Sequence, residues 1–264
     1  MPPALRRARM LHALRSRDFV RVHDLGEMFG VSDVTVRGDL DALAAQGEVR
    51  RVHGGAISLA TAPTERSFED SSTDNAAEKL AIGVAAAALV SSGDVVALDV
   101  GTTTMAVARA LRAREDLEGV MVLTNGINIA LELERAFPRV TVVVTGGTLR
   151  PLQHSLVQPL ADRVMAEVNP DLALVGCNGV HGERGVTNIN LPEAEIKRSM
   201  LAAARRKVIV ADGSKLGAIT PAHLCAAEDA DLLITGASAP EAVLEDLKRR
   251  GAAIEVAHFN QEEW

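Results

Sequence analysis

Short apolar runs alternate with longer amphipathic stretches along most of the chain after residue 74. Runs typical of buried strands stand at residues 94–100, 119–124, 139–145, 171–176, 206–212, 231–235 and 252–257. Stretches with helical spacing of apolar residues stand at 75–90, 103–114, 126–137, 192–205 and 240–250. This alternation predicts an α/β fold in which helices cover both faces of a largely parallel sheet.

The N-terminal part of the chain has a different pattern, that of a small helical domain. Met10, Leu11 and Leu14 are spaced as on one helix. Residues 22–30 and 31–47 predict two more helices joined by a tight turn. Three short helices with such a turn are the pattern of a helix-turn-helix.

The third of these helices is predicted to have two faces. Ser32 can cap it, because its hydroxyl can accept an N–H from the first turn. The apolar residues at i, i+4 and i+7 form the predicted buried face: Val36, Leu40 and Leu43. The residues left on the other side, near the helix N-terminus, are Ser32, Asp33, Thr35 and Arg37. A helix-turn-helix presents this end to the major groove, so these four are candidate DNA contacts.

Residues 48–59 predict two short strands around Gly54 and Gly55, which would form a hairpin wing. The wing carries three candidate DNA contacts: Arg50, Arg51 and His53. The alternative is a plain three-helix bundle with a hairpin that binds nothing. The coincidence of cap, turn, arginines and wing favours a winged helix-turn-helix.

Charge is distributed unevenly between the two parts of the chain. Residues 1–57 hold nine Arg against seven Asp and Glu, a net +2, while the remainder holds 19 Lys and Arg against 28 acids, a net −9. A basic head on an acidic body indicates that contact with a polyanion is confined to the head. The chain has no Tyr, five Phe and one Trp, which disfavours binding modes that stack bases on aromatic side chains.

The polar stretch rich in Ser and Thr at residues 59–74 separates the two parts. The predicted organisation is a winged helix-turn-helix at 1–57, a linker at 58–74, an α/β effector domain at 75–257 and a tail at 258–264. No apolar run reaches the ~20 residues that a membrane span needs. The N-terminus lacks the pattern of a signal peptide. We therefore expect a cytoplasmic protein without a membrane partner.

One loop of the α/β part has the chemistry of an anion site. A predicted strand ends at Asp99 and is followed by "GTTT", which leads into a helix. The N–H groups of that helix start would point at one place, with the positive end of the helix dipole behind them. The candidate ligands are Asp99, Gly101, Thr102, Thr103 and Thr104. The loop matches neither a P-loop nor a dinucleotide fingerprint.

Polar or glycine residues follow four other predicted strands. In chain order they are Thr124, Asn125, Gly146, Gly147, Asn178, Asp212 and Lys215. In parallel α/β sheets ligands bind outside the carboxyl ends of the strands, so these residues predict a single crevice. Asp212 and Lys215 could instead be turn residues without a ligand.

The sequence offers no sign of a metal, a cofactor or a catalytic nucleophile. His154, His181 and His223 lack metal-ligand spacing. Ser155 and Ser214 lack a nucleophile-elbow motif and an identifiable base. We predict no cofactor, no metal site and no catalytic residue.

The stretch "VSDVTVRGDLDALAAQGEVRRVHGGA" resembles the winged helix-turn-helix signature of the DeoR family of bacterial transcription regulators. The resemblance implies base contacts from the third helix and phosphate contacts from the wing. The family usually has a second basic residue after Arg37, where this sequence has Gly38. A glycine there costs about 1 kcal/mol of helix stability relative to alanine and removes a phosphate contact.

Residues 75–257 resemble the effector domain of the same family, through stretches such as "DVGTTT", "GVTNINLPEAEIKRSML" and "ADGSKLG". That domain is similar to ribose-5-phosphate isomerase, and family members respond to phosphorylated sugars. The resemblance implies that Asp99 to Thr104 hold the phosphate or nearby hydroxyls. It places on the sugar side Glu193, Lys197, Asp212 and Lys215. Without the resemblance, Glu193 and Lys197 at i, i+4 would be read as an ordinary surface pair.

These observations predict a sequence-specific transcription regulator that represses a carbohydrate-metabolism operon. Its partners would be a double-stranded DNA operator, a sugar phosphate and further copies of itself, as a dimer or a tetramer. The alternative is a sugar-phosphate isomerase fused to a DNA-binding head. The head favours the regulator, because a sensing domain coupled to DNA needs differential binding and no turnover.

Overall fold

The computed structural model describes residues 2–15, 19–52, 54–58 and 65–258. The chain divides into two compact units, residues 1–64 and residues 65–264. His53 of the predicted wing and the predicted tail from residue 259 onward lie outside the described residues.

The first unit is a winged helix-turn-helix. Its elements are α1 (Pro3–Arg15), β1 (Val20–Arg21), α2 (Val22–Phe29), α3 (Asp33–Ala45), β2 (Val49–Val52) and β3 (Gly55–Ser58). The three strands form one antiparallel sheet in the order β1-β3-β2. This confirms the three helices and the wing that the sequence predicts.

Apolar side chains from every element of this unit form one core. Its buried members are Met10, Leu14, Val20, Val22, Leu25, Val36, Leu40, Leu43, Val49 and Ala56. The predicted cap of α3 is confirmed, since the Ser32 hydroxyl accepts the Thr35 N–H at 3.3 Å. The unit also contains an ion pair, in which Arg6 Nε donates to Asp39 Oδ2 at 2.6 Å. It joins α1 to α3.

The second unit is an α/β domain. Its elements are α4 (Phe68–Ser72), α5 (Ala76–Ala87), β4 (Val95–Leu98), α6 (Thr102–Ala113), β5 (Val120–Thr124), α7 (Ile127–Glu134), β6 (Val140–Val144), β7 (Thr148–Arg150), β8 (Ser155–Val157), α8 (Leu160–Ala166), β9 (Leu172–Gly176), β10 (Gly179–His181), β11 (Gly185–Asn188), α9 (Leu191–Ala203), β12 (Arg206–Val210), β13 (Ala222–Cys225), β14 (Leu232–Gly236), α10 (Glu241–Arg249) and β15 (Ile254–Ala257). The predicted strands and helices of this unit are all among them.

A seven-stranded parallel sheet runs through the middle of the domain, in the order β15-β14-β12-β9-β4-β5-β6. Alternate strand residues enter two separate cores, because successive side chains of a strand point to opposite faces. Val96 and Leu98 pack with α5, α6 and α7. Ala97 packs with α8, α9 and α10 on the other face. Both faces of the sheet are therefore covered, as the sequence predicts.

Helices α5 and α6 pack closely enough to require a glycine. A Cβ atom on Gly83 would lie 2.6 Å from the backbone carbon of Ala106. Backbone of a packed helix cannot move aside cheaply, so only glycine fits at this crossing. The close packing fixes α6, whose first turn follows β4.

Several parts of the second unit differ from the expectation. The antiparallel hairpin of β7 and β8 and helix α8 are absent from the predicted elements. Strands β10, β11 and β13 form a small antiparallel sheet that the sequence did not reveal, because its strands are short and contain polar residues. The predicted linker was placed at 58–74, yet residues 65–74 belong to the second unit and include α4. Phe68 of α4 packs against the core, which explains the difference. In the part of the chain that the structure describes, no helix is both long and apolar enough to cross a membrane.

Candidate functional site

The sheet has a topological switch point between β4 and β9. From β4 the chain moves outward through β5 to β6, and it returns on the other side of β4 to β9, β12, β14 and β15. The two directions leave a crevice at the carboxyl ends of the central strands, where ligands of open α/β sheets bind. The predicted effector residues lie at or after the carboxyl ends of strands, or on α6 and α9.

A buried ion pair lies at this point. Asp99, directly after β4, is fully buried, and Lys197 of α9 is 3% exposed. Lys197 Nζ donates to Asp99 Oδ2 and, at 3.1 Å, to the Gly176 carbonyl oxygen. The Gly176 N–H donates to the same Asp99 oxygen at 3.1 Å. One carboxylate thus joins the ends of β4 and β9 to α9.

The electrostatics of the pair follow from its burial. Loss of solvent raises the pKa of Asp99 to about 6, although the charge and hydrogen bond of Lys197 act in the opposite direction. For Lys197 burial favours the neutral form, but the carboxylates of Asp99 and Glu193 outweigh it and raise the pKa. Asp99 Oδ1 is buried and has no hydrogen-bond partner among the described residues.

The first turn of α6 presents the predicted anion site. Gly101 is the N-cap residue, with φ of 141°, and has no side chain to bond the N–H groups of that turn. Those N–H groups lack acceptors within the helix. Gly101 and Thr102 are half-buried, whereas Thr103 and Thr104 are buried. The Thr104 hydroxyl donates to the Gly101 carbonyl oxygen at 3.1 Å, so it holds the turn.

The ends of β5 and β6 support this loop from one side. Asn125 Oδ1 accepts the Val100 N–H at 3.0 Å, and the Thr124 hydroxyl accepts the Gly126 N–H at 3.0 Å. Gly146 and Gly147 follow β6 and are half-buried. Buried Asn125 ties the end of β5 to the loop before α6, and buried Thr124 holds the turn that follows β5.

Glu193 and Lys197 are not a surface pair. Glu193 is 4% exposed, and its Oε1 accepts hydrogen bonds from Arg150 and from the Ser155 hydroxyl. Asn190 caps α9 by accepting the Glu193 N–H at 3.1 Å. A cap at the helix start and two side-chain donors fix the carboxylate.

Asp212 and Lys215 lie after β12, in a short helical turn. Asp212 is 1% exposed, and its Oδ1 accepts from Asn75 Nδ2 at 2.9 Å and from the Ser214 N–H at 3.1 Å. Burial raises the pKa of Asp212, but the charge of Lys215 and the hydrogen bonds from the Ser214 hydroxyl and the Asn75 amide outweigh it and lower the pKa. Lys215 is half-buried.

The predicted residues therefore form two layers. A half-buried rim consists of Gly101, Thr102, Gly146, Gly147, Asn178 and Lys215. A buried polar layer consists of Asp99, Thr103, Thr104, Thr124, Asn125, Glu193, Lys197 and Asp212. Asn178 also has a structural role, because its Oδ1 accepts the Ile189 N–H at 2.9 Å. The rim residues are therefore the more accessible of the two sets.

Sequence reasoning missed two cations beside this site. Lys79 of α5 is 5% exposed, and its Nζ donates to the Ser71 carbonyl oxygen at 2.7 Å. Burial lowers the pKa of Lys79. Ile82, Gly83 and Ala86 follow Lys79 by three, four and seven residues, which places Lys79 on the buried stripe of α5. This spacing is a signal in the sequence from which its burial can be predicted. Arg150 follows no such pattern.

The head presents a separate polar surface. Ser32 and Arg37 are exposed on α3, Asp33 and Thr35 are half-buried there, and Arg50 is exposed on β2. This agrees with their predicted place at the N-terminal end of α3 and on the wing.

Arg51 points elsewhere. Its guanidinium pairs with Asp41 and donates to the Arg37 carbonyl oxygen at 3.1 Å. The side chain therefore joins the wing to α3, and its predicted phosphate contact would require these bonds to be exchanged.

The comparisons with known proteins match both units. The DeoR-like helix-turn-helix domain matches residues 6–62, and the DeoR C terminal sensor domain matches residues 74–237. The chain belongs to the DeoR family.

Members of the DeoR family from distant organisms align over nearly the whole chain. The HTH-type transcriptional regulator GlpR of Haloferax volcanii is 34% identical over 96% of this chain and 98% of its own. GolR of Listeria innocua is 31% identical over 97% and 100%, and the transcriptional repressor AccR of Agrobacterium fabrum is 31% identical over 87% and 88%. The chain is accordingly a DNA-binding transcription regulator and not an enzyme, so the isomerase alternative is set aside.

Solved structures resemble it more distantly. The full-length sorbitol operon regulator SorC of Klebsiella pneumoniae has a TM-score of 0.43 and 12% identity over 91% of this chain and 97% of that one. Ribose 5-phosphate isomerase A of Methanocaldococcus jannaschii has a TM-score of 0.39 and 19% identity over 52% of each chain.

The ion pair generates a prediction about pH. Lys197→Met leaves the Asp99 carboxylate buried without its cation, which costs about 3–5 kcal/mol. The pKa of Asp99 in the folded state then rises further above its unfolded value. Stability contributed by the protonated form is present at low pH and is lost as the pH rises through the folded pKa. Chemical denaturation should therefore find the variant less destabilised at about pH 5 than at about pH 8.

Lys207→Met is the control, because Lys207 is a half-buried lysine near the amino end of β12, whereas the ion pair lies at the carboxyl ends of the strands. It should show no added pH dependence relative to the wild type. An equal loss of stability at both pH values in Lys197→Met would contradict the account of the pair.

Proposed function

We propose that this DeoR-family regulator represses a carbohydrate-metabolism operon and is released from its operator by a phosphorylated sugar. The head would bind double-stranded DNA, and the crevice at the switch point would bind the sugar phosphate. Relatives named as repressors, among them AccR and the HTH-type transcriptional repressor CsqR of Escherichia coli, support the sign of regulation.

The observation that carries the effector assignment is the first turn of α6. Its N–H groups have no side-chain cap, and Gly101 and Thr102 at this turn are half-buried. A helix N-terminus of this kind favours phosphate, since both the free donors and the helix dipole attract negative charge. Residues outside the head carry a net −9, so only such local donors and nearby lysines can hold an anion.

The sugar part would lie toward Lys215 and Asn178 on the rim. The chemistry of these side chains suits hydroxyl groups and a second anionic oxygen. The buried layer around Asp99 and Lys197 would keep the rim in register, and Glu193 and Asp212 would join the ligand only after movement of their covering side chains.

The DNA-binding surface would consist of the start of α3 and the wing. Thr35 and Arg37 would meet base edges, and Arg50 would contact the phosphate backbone and fix the register. A head of this size contacts few bases. We therefore propose a homo-oligomer, as a dimer or a tetramer, which places two heads on paired half-sites. Such a regulator would act in the cytoplasm, where its DNA is.

The DNA assignment predicts different effects for two arginines. Arg37→Ala should remove sequence preference, while Arg50→Ala should weaken all duplexes alike and reduce the salt slope by about one. The measurement is a salt titration of fluorescence anisotropy, with a duplex selected from a random library and a scrambled duplex.

Arg184→Ala, an exposed arginine of the second unit, is the control and should bind both duplexes as the wild type does. Unchanged DNA binding in both head variants would contradict the assignment of this surface.

The effector assignment predicts ligand-dependent stability. A sugar phosphate at one hundred times its Kd should stabilise the folded protein by about 2.7 kcal/mol, and its parent sugar should have no effect.

Lys215→Ala should raise the Kd for this sugar phosphate about tenfold or more, because a hydrogen bond to a charged group contributes about 1.5–3 kcal/mol. Lys207→Ala is the matched control. The measurement is the midpoint temperature of thermal unfolding in the presence of each sugar phosphate of a panel. Equal shifts of that temperature from a sugar phosphate and its parent sugar would contradict the anion site.

A further inference from the structure

Residues Glu65 to Ser72, which we call the strap, are fastened to one loop of the second unit. Arg150 donates to both carboxylate oxygens of Glu65, with Nη2 at 2.6 Å and Nη1 at 3.4 Å. Gln153 Nε2 donates to the Arg66 carbonyl oxygen at 2.5 Å, and the Phe68 N–H donates to the Leu152 carbonyl oxygen at 2.9 Å. The strap therefore depends on residues 150–156, which comprise the hairpin loop between β7 and β8 and the strand residues that flank it.

The same loop is also fastened to the effector site. Arg150 and Ser155 both donate to Glu193 Oε1. The Leu156 N–H donates to the Asn125 carbonyl oxygen at 2.7 Å. The loop thus contacts the buried polar layer on one side and the strap on the other.

The Arg150 guanidinium is the shared element. The exposed fractions of the three side chains are 6% for Glu193, 18% for Arg150 and 15% for Glu65. The guanidinium is planar and rigid, so its two ends move together. Nη1 serves both carboxylates, and a shift that breaks its bond to Glu193 also breaks the two-point contact with Glu65.

Because the Glu193 carboxylate is buried, a ligand can contact it only if one of its present hydrogen-bond donors shifts. Glu193 Oε1 already accepts two hydrogen bonds, and its carboxylate is covered. A hydroxyl group that donates to this oxygen must take the place of Arg150 or Ser155. Ser155 is fully buried and is the first residue of β8, so Arg150, which is partly exposed, is the donor that can leave.

We propose that Arg150 positions Glu193 in the effector site and couples it to the strap, so that a ligand engaging Glu193 loosens the strap. The inference rests on the proposed sugar-phosphate site. The strap follows the DNA-binding head in the chain across residues 59–64, so its loosening changes how that head is tethered. Lys79, which donates to the Ser71 carbonyl oxygen, joins the far end of the strap to α5.

The test is hydrogen exchange of the full-length protein, read by mass spectrometry on peptides that contain residues 66–72. The probes are glucose 6-phosphate, fructose 6-phosphate, fructose 1-phosphate and ribose 5-phosphate, each beside its parent sugar. The probe that binds should speed exchange of the strap about fivefold or more in the wild type, the lower end of ordinary allosteric coupling.

Two variants separate coupling from mere packing. Glu65→Gln and Arg150→Lys should exchange fast without ligand, and the probe should then change the rate by less than about twofold. Because coupling is reciprocal, Glu65→Gln should also bind the probe about fivefold more tightly. Glu132→Gln is the matched control, since Glu132 is likewise 15% exposed and pairs with Arg112 at 3.1 Å. It should behave as the wild type.

Two outcomes overturn the inference in distinguishable ways. If a probe binds and the strap exchanges at an unchanged rate, or if Glu65→Gln keeps the full response, the coupling is wrong and the effector site stands. If none of the probes binds, the proposed function fails, and the coupling that rests on it fails too.

Discussion

The buried ion pair between Asp99 and Lys197 is the interaction around which the second unit organises its crevice. It lies where the sheet changes direction, and the Asp99 carboxylate also accepts the Gly176 N–H, so a single group ties β4, β9 and α9 together. Buried ion pairs contribute little net stability, because desolvation offsets most of their attraction. In this protein the ion pair fixes the position of the central strands relative to each other, and the end of β4 sets where α6 begins.

The half-buried rim and the buried polar layer would give the proposed site two separate tasks. Gly101 and Thr102 would offer backbone donors to an anion, because they are half-buried and the start of α6 has no side-chain cap. Glu193 can be reached only by moving Arg150, whose other partner is Glu65. A ligand that fills only the rim would bind without consequence for the strap, whereas one that also engages Glu193 would alter it. Recognition and response would then depend on different parts of the same molecule.

The sequence predicts much of this arrangement because its signals are local. The period-2 runs around Val96 and the helical spacing of Val36, Leu40 and Leu43 depend only on neighbouring residues, and the structure confirms the elements that they predict. The polar strand ends could be placed together because parallel strands share one edge. Their division into rim and buried layer could not, since it depends on contacts such as Asn125 with Val100.

Partners distant in the chain explain the remaining differences. Arg51 was expected to face DNA, but Asp41 and the Arg37 carbonyl lie within its reach once the wing folds back. Glu65 was assigned to a linker, because nothing near it in the sequence announces Arg150, 85 residues away. The spacing of residues within one helix or strand carries no information about such distant pairs. To predict them, the order of the strands in the folded sheet must be known.

The most direct test of the central claim is a crystal structure of the full-length protein with a sugar phosphate that stabilises it. The account predicts the phosphate at the start of α6, within hydrogen-bonding distance of the N–H groups of Thr102 and Thr103, and Arg150 turned away from Glu193. A phosphate bound at another place in the protein, with the α6 start unliganded, would contradict it.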